Sequence, residues 1–285
     1  MKKKTIWLLL VLLAVSVLLL FGYVALDRLR TDLEAPMITM DTAEITLSVQ
    51  DPQDALLQGV TAWDVHDGNV TASLVVESIY GITADKRATV TYAAFDAAGN
   101  VTKAQRQVFY ADYESPRLTL SGPLVFEYGS VFDVMSFVSA EDVFDGNLQR
   151  RVKATMITSG TSVTEEGSHE VLFRVTNSLG DTTQLVLPVE VYPTDSYRGT
   201  LTLTDYMIYL PKGAEFDRDA YPLTFQARNE SFDLRGSAPD GLRIHVAGKV
   251  DTQTPGLYTL TYTATYNLDG QTYTGYTRLF VVVEE

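Results

Sequence analysis

The chain has 285 residues, 22 basic against 36 acidic side chains, a formal net charge of −14 and no cysteine. Phosphate binding rests on basic patches, so this charge excludes nucleic acid as a partner. Without cysteine there is no disulfide staple and no thiol chemistry, and any exported domain must stand on its core and strand pairing.

The charge is unevenly spread. Residues 1–34 hold five basic side chains and three acidic ones, which leaves 17 basic against 33 acidic in the remainder, a net of −16. Lys2, Lys3 and Lys4 precede a run from Ile6 to Leu26 in which Ser16 and Gly22 are the only residues that are neither aliphatic nor aromatic. Such a run, as a helix, spans ~31 Å, the thickness of a hydrocarbon core. Leu20 to Leu26 offers no small-x-small cleavage site, so the reading is an uncleaved, single-pass signal anchor rather than a signal peptide. The three lysines outweigh Arg28 and Arg30 and put the N-terminus in the cytoplasm, with everything after about residue 30 extracellular. Residues 1–34 are therefore expected to be a cytoplasmic stub, a membrane helix and a polar tether.

Beyond the tether the chain reads as strands and turns. Asp64-Val65-His66-Asp67-Gly68-Asn69-Val70-Thr71 is a turn, because Gly takes positive φ freely and Asp tolerates it while accepting backbone N–H bonds. The flanking runs Leu56–Ala62 and Val70–Val76 are predicted strands. Ala88–Phe95 alternates apolar and polar residues and leads into a second turn, Asp96-Ala97-Ala98-Gly99-Asn100. Both signals return: Glu141-Asp142-Val143-Phe144-Asp145-Gly146-Asn147-Leu148 repeats the first, and Thr176–Asp181 repeats the second 81 residues after Phe95. A weaker third copy has Ser237-Ala238-Pro239-Asp240-Gly241-Leu242 and Tyr266–Gln271. Pro36 and Pro116 open the first two repeats, 80 residues apart. That period suits a complete small domain rather than a solenoid unit, which predicts three domains, 35–113, 114–193 and a divergent 194–285, joined by short linkers such as Tyr192-Pro193-Thr194-Asp195-Ser196.

The joint pattern Asp-x-x-Asp-Gly-Asn-Val-Thr (64–71) and Val-Thr-Tyr-x-x-x-Asp-x-x-Gly-Asn (90–100) resembles the bacterial immunoglobulin-like repeat named for a pesticidal crystal protein. The second repeat keeps Asp142, Asp145, Gly146 and Gly180 but has Asn177 in place of the later Asp. The resemblance covers most of residues 36–193 and implies an all-β chain of tandem Ig-like antiparallel β-sandwiches with no activity of its own.

Two readings of the acidic turns compete. Asp64, Asp67 and Asp96 converge on one end of a sandwich if the two turns are neighbours, and three carboxylates suit Ca²⁺. Alternatively each Asp caps its own turn, and the series Asp96, Asn177, Asn267 favours capping, which survives such exchanges better than chelation does. His66, His169 and His245 have no second His or Cys at zinc spacing. There is no nucleophile elbow or phosphate-binding loop, and Glu165-Glu166 reads as an exposed turn, so the chain is expected to be no enzyme. Nine of 16 tyrosines lie after residue 193; Tyr206, Tyr273 and Tyr276, placed off the best-defined core face, are the candidates for contact with a partner. The function expected is a membrane-anchored stalk or adhesion module for a protein or envelope glycan. Its rival is a ligand-sensing or accessory subunit of an envelope assembly, coupled through the helix.

Overall fold

The computed structural model describes residues 2–30, 32–83, 85–157, 165–194, 198–235 and 240–285. Ser237, Ala238 and Pro239 of the third turn copy, the tether residue Thr31 and the linker residues Asp195 and Ser196 lie outside the described residues. An N-terminal helix, α1 (Lys2–Arg30), contains a stretch, Thr5–Val24, with mean hydropathy 2.7 and none of it buried. Its length and composition suffice to cross a bilayer, and a signal sequence meets the same criterion.

The rest is built of strands, arranged three times over in the same order. The first set comprises β1 (Met37–Met40), β2 (Glu44–Leu47), β3 (Val60–Asp64), β4 (Gly68–Asn69), β5 (Val75–Tyr80), β6 (Arg87–Phe95) and β7 (Val101–Tyr110). One sheet has the order β1-β3-β4 and the other β2-β7-β6-β5. The inward parity of β6 and β7 gives the core its Val90, Tyr92, Ala94, Val108 and Tyr110, all buried, as expected for strands whose alternate residues face one layer.

The second set is β8 (Arg117–Leu120), β9 (Val125–Glu127), β10 (Val138–Asp142), β11 (Gly146–Asn147), β12 (Lys153–Met156), β13 (Gly167–Thr176) and β14 (Thr182–Tyr192). The third is β15 (Gly199–Leu203), β16 (Met207–Pro211), β17 (Pro222–Ala227), β18 (Glu230–Asp233), β19 (Leu242–Ala247), β20 (Gly256–Leu268) and β21 (Gln271–Glu284). Their sheets, β11-β10-β8 with β12-β13-β14-β9 and β15-β17-β18 with β16-β21-β20-β19, repeat the first topology. The all-β reading therefore holds, and the divergent third segment has the same strand order.

Three local readings are corrected. The sheets are not purely antiparallel: β2 runs parallel to β7, β9 to β14 and β16 to β21. In each set the first strand pairs within the small sheet, and the chain then crosses to the large one, arriving in the direction of its last strand. Leu56 and Leu57 belong to a 3-10 turn, Gln53–Leu57, rather than a strand, because Pro52 starts the turn and Gly59 at φ 69° separates it from β3. Likewise Thr71–Ser73 is a 3-10 turn and the leaving strand starts only at Val75.

Contacts divide the chain into two compact units, residues 1–112 and 113–285. In the larger unit the second and third sandwiches are joined. Phe280, on β21, is buried with Leu118, Phe126, Val138 and Phe173 in the second core, whereas its neighbours Leu279 and Val281 face the third. Arg117 pairs with Glu284 in bidentate fashion, Arg278 Nη2 donates to Glu190 at 2.8 Å, and Tyr209 donates its hydroxyl to the Leu118 carbonyl at 2.9 Å.

The turn glycine at position 99 has φ 89°, and a Cβ there would meet no atom within 4 Å. The backbone conformation alone makes it intolerant. Gly99→Val is expected to cost the first sandwich more than ~1 kcal/mol, read as a lower urea midpoint in the fluorescence of Trp63.

Candidate metal centre

The turn Asp64–Gly68 joins β3 to β4, and the turn Asp96–Asn100 joins β6 to β7, so both lie at one end of the first sandwich. Asp64 is buried, 1% exposed. Its Oδ1 accepts the backbone N–H groups of His66 at 2.7 Å and Asp67 at 2.9 Å, which closes the turn in the manner of an Asx residue. Its Oδ2 is buried and has no hydrogen-bond partner. Asp67 crosses to the other turn, where its Oδ2 accepts from Ala97 N at 2.7 Å. Asp96 accepts Asn100 N on Oδ1 and Asn100 Nδ2 on Oδ2, both at 2.7 Å. Burial works to raise the Asp96 pKa, but the Asn100 amide and the N–H groups of Asn100, Gly99 and Ala98 together hold it below the usual carboxylate value. It is charged throughout the neutral range.

A fourth carboxylate joins them from outside the sandwich. Asp32, in the segment between α1 and β1, lies with one ligand atom within 4.8 Å of those of Asp67 and Asp96, and again within 4.8 Å of those of Asp64 and His66. Its Oδ1 accepts from Glu34 N at 3.0 Å and lies 3.1 Å from His66 Nδ1, and its Oδ2 is buried without a partner. Asn100 fastens the same segment by donating its Nδ2 to the Asp32 and Glu34 carbonyls at 3.2 and 3.1 Å. Thus Asp67 and Asp96 come together with Asp32, Asp64 comes together with Asp32 and His66, and sequence reasoning missed Asp32 and His66. Asp32 precedes Asp64 by 32 residues, outside the repeat, and no local spacing marks it. Among the described residues no Lys or Arg forms an ion pair with any of these four carboxylates.

The same corner in the second sandwich is built differently. Asp142 Oδ1 caps its turn through Phe144 N and Asp145 N as Asp64 does, but its Oδ2 accepts Asn177 Nδ2 at 3.0 Å. Asp145 Oδ2 accepts from Ser178 N and from Arg151 Nη1 at 3.0 Å. Tyr113, from the segment leading into that sandwich, accepts from Asn177 Nδ2 at 2.9 Å and donates to Asp181 Oδ2 at 2.8 Å. Burial and the Asp181 carboxylate push its hydroxyl pKa far up, so it stays a donor. Here the chain itself supplies an amide, a phenol and a guanidinium to satisfy the carboxylates.

The tyrosine expectation is corrected at two positions. Tyr206 and Tyr273 are 8% and 5% exposed and belong to the core of the third sandwich, because 273 has the inward parity of β21, and the Tyr206 hydroxyl turns back to Leu203 N at 3.4 Å. Neither presents a ring to a partner. Tyr276 is half-buried and packs edge-on against Tyr192, with Arg198 over both rings. His169 is a core histidine whose Nε2 reaches the Glu165 carbonyl at 2.7 Å, His245 is exposed, and Glu165 and Glu166 lie in an exposed bend.

Residues 203–281, nearly all of the third strand set, match the family described as bacterial surface protein, Ig-like domain. The third sandwich is a bacterial Ig-like domain. The shared strand order makes all three sandwiches Ig-like in fold. Among curated proteins no relative matches. Solved structures similar to the chain include the protocadherin gamma B2 extracellular cadherin domains 1–5, at 12% identity and a TM-score of 0.21. They also include the CBM51-2 and INT domains of ZmpB from Clostridium perfringens, at 14% and 0.23, and the lipoprotein BT2262 from Bacteroides thetaiotaomicron, at 16% and 0.23. The alignments cover 88%, 87% and 58% of this chain and 60%, 42% and 98% of those chains. The chain thus spans less than two thirds of these protocadherin and ZmpB structures, and at these scores none of the likenesses bears on the function of the Ig-like sandwiches.

Proposed function

We propose that the chain is a non-catalytic surface protein, held in the membrane by α1 with its N-terminus in the cytoplasm, whose Ig-like sandwiches serve outside the cell as a stalk or as a binding module for a protein or envelope glycan. The observation that carries this reading is the unburied apolar stretch Thr5–Val24 beside sandwiches that bury their own cores. Twenty such residues left in water would forfeit the hydrophobic stabilisation that a bilayer supplies. The family match over residues 203–281 supports a surface location, and net negative charge suits a solvated exterior domain.

The absence of cysteine makes the test direct. Single-cysteine variants Lys3→Cys and Lys153→Cys are exposed to a membrane-impermeant maleimide on intact cells. Labelling of the second alone, with labelling of the first only after permeabilisation, is the expected result. A membrane-bound protein whose mass lacks the first two dozen residues, or a chain released to the medium, overturns the anchor.

A further inference from the structure

We infer that the first sandwich binds one Ca²⁺ ion at the corner where Asp32 meets Asp64 on one side and Asp67 and Asp96 on the other, so that the ion clamps the segment following α1 onto the sandwich.

The inference rests first on the two carboxylate oxygens that nothing satisfies. Asp64 is 1% exposed and grouped with Asp32 and His66, its Oδ1 is used up by the turn, and its Oδ2 is buried and unpartnered; Asp32 Oδ2 is likewise buried and unpartnered. A buried ionised oxygen without a donor or a counter-charge is strongly disfavoured, and such groups are found paired or on a metal. Turn capping accounts for Asp64 Oδ1 and leaves Oδ2 unexplained.

The second support is the internal control. The corresponding oxygen in the second sandwich, Asp142 Oδ2, is met by the Asn177 amide, and Asp145 is met by the Arg151 guanidinium. In the first sandwich those two places hold Asp96, a further carboxylate, and Ser73, whose hydroxyl serves the backbone at Val70 and Phe95. The amide is shifted to Asn100, which stands where the second repeat has Asp181 and serves Asp96 and the Asp32 and Glu34 carbonyls, and the guanidinium is lost. In this repeat alone, therefore, Asp64 Oδ2 goes unmet and the net negative charge of the corner rises. A cation restores the balance there and has no place in the other.

The donor set selects the ion. Four carboxylates, with carbonyls close by, are hard oxygen ligands of the kind Ca²⁺ takes in irregular numbers, whereas Mg²⁺ demands a small octahedral cage and keeps its water. His66 is the sole nitrogen in the cluster and does not make a zinc set. Capping and chelation, set against each other by the sequence, are then carried by different oxygens of one side chain.

The test uses the full-length protein in detergent, stripped with chelator and titrated with CaCl₂ from micromolar to roughly 10 mM, the upper range of extracellular calcium modules being near millimolar. Saturable binding of one ion, a higher melting temperature reported by Trp63, and slower amide exchange in residues 32–35 are expected. Asp32→Ala lies outside the sandwich and leaves its fold intact; it is expected to weaken binding roughly tenfold or more and to abolish the slowed exchange. Asp64→Asn is expected to lose binding, and Asp142→Asn to keep it. No calcium response, as would follow if the carboxylates share a proton instead, a response equally strong in Asp32→Ala, or a preference for Zn²⁺ or Mg²⁺ each overturns the assignment.

Discussion

Arg106→Leu is expected to destabilise the first sandwich by about 3 kcal/mol or more and to lower its melting temperature by more than ~12 °C. Arg106 is only 3% exposed. Its guanidinium donates to the Leu56 carbonyl at 2.6 Å, to the Gln58 carbonyl at 3.0 Å and, through Nε, to the Tyr92 hydroxyl at 3.2 Å. Removing it takes the charged donor from the buried Leu56 carbonyl, which keeps only the Tyr92 hydroxyl at 2.7 Å, and from the part-buried Gln58 carbonyl that caps the 3-10 turn, and bonds to a charged donor are the costlier ones to lose. The nearest carboxylate, Asp41, is 3.8 Å away and 65% exposed, so Asp41→Asn should change stability by less than ~0.5 kcal/mol. Phe173 and Leu187 occupy the equivalent positions of the second sandwich, both fully buried, so one architecture has a polar and an apolar solution. Tyr92→Phe combined with Arg106→Leu imports the apolar one, and its cost is expected to fall ~1 kcal/mol short of the sum of the single changes. Trp63, the one tryptophan outside α1, reports these transitions. Additive costs, or a mild effect of Arg106→Leu, would show that water satisfies the turn.

Phe280→Ala is expected to cost ~3 to 5 kcal/mol, as for other buried aromatics, and to weaken two sandwiches at once. Its ring belongs to the core around Leu118, Phe126 and Phe173, while its backbone N–H is held by the Tyr206 carbonyl in the third sandwich. Met207 and Leu257, also from the third sandwich, pack against the same core. Amide exchange should therefore quicken in β13 as well as in β20. Unchanged protection of β13 would mean that the second sandwich does not depend on its neighbour. Within residues 113–285 the second and third sandwiches thus share buried residues as a joined pair.

Much of this architecture was legible without coordinates. Period-two alternation in Ala88–Phe95, the Asp-Gly turns and their recurrence after about 80 residues mark strands, hairpins and repeat number, because those are consequences of backbone geometry and local turn chemistry. A closer reading of two stretches would have shown more. Arg106 falls on the inward parity of β7 between Ala104 and Val108, which marks a buried cation. Leu279-Phe280-Val281-Val282-Val283 is a continuous apolar run, which marks a strand covered on both faces.

The sequence by itself determined the all-β class, the apolar N-terminal helix, the turns and the repeat, since each depends on residues close together in the chain. Only the tertiary structure decided that β2, β9 and β16 pair in parallel, that Tyr206 and Tyr273 face inward, and that Asp32 meets Asp64, Asp67 and Asp96. The physical reason is the same in each case. Which strand crosses to which sheet, and which distant side chain completes a corner, follows from the packing of whole layers, and that packing leaves no fixed spacing in the sequence to read.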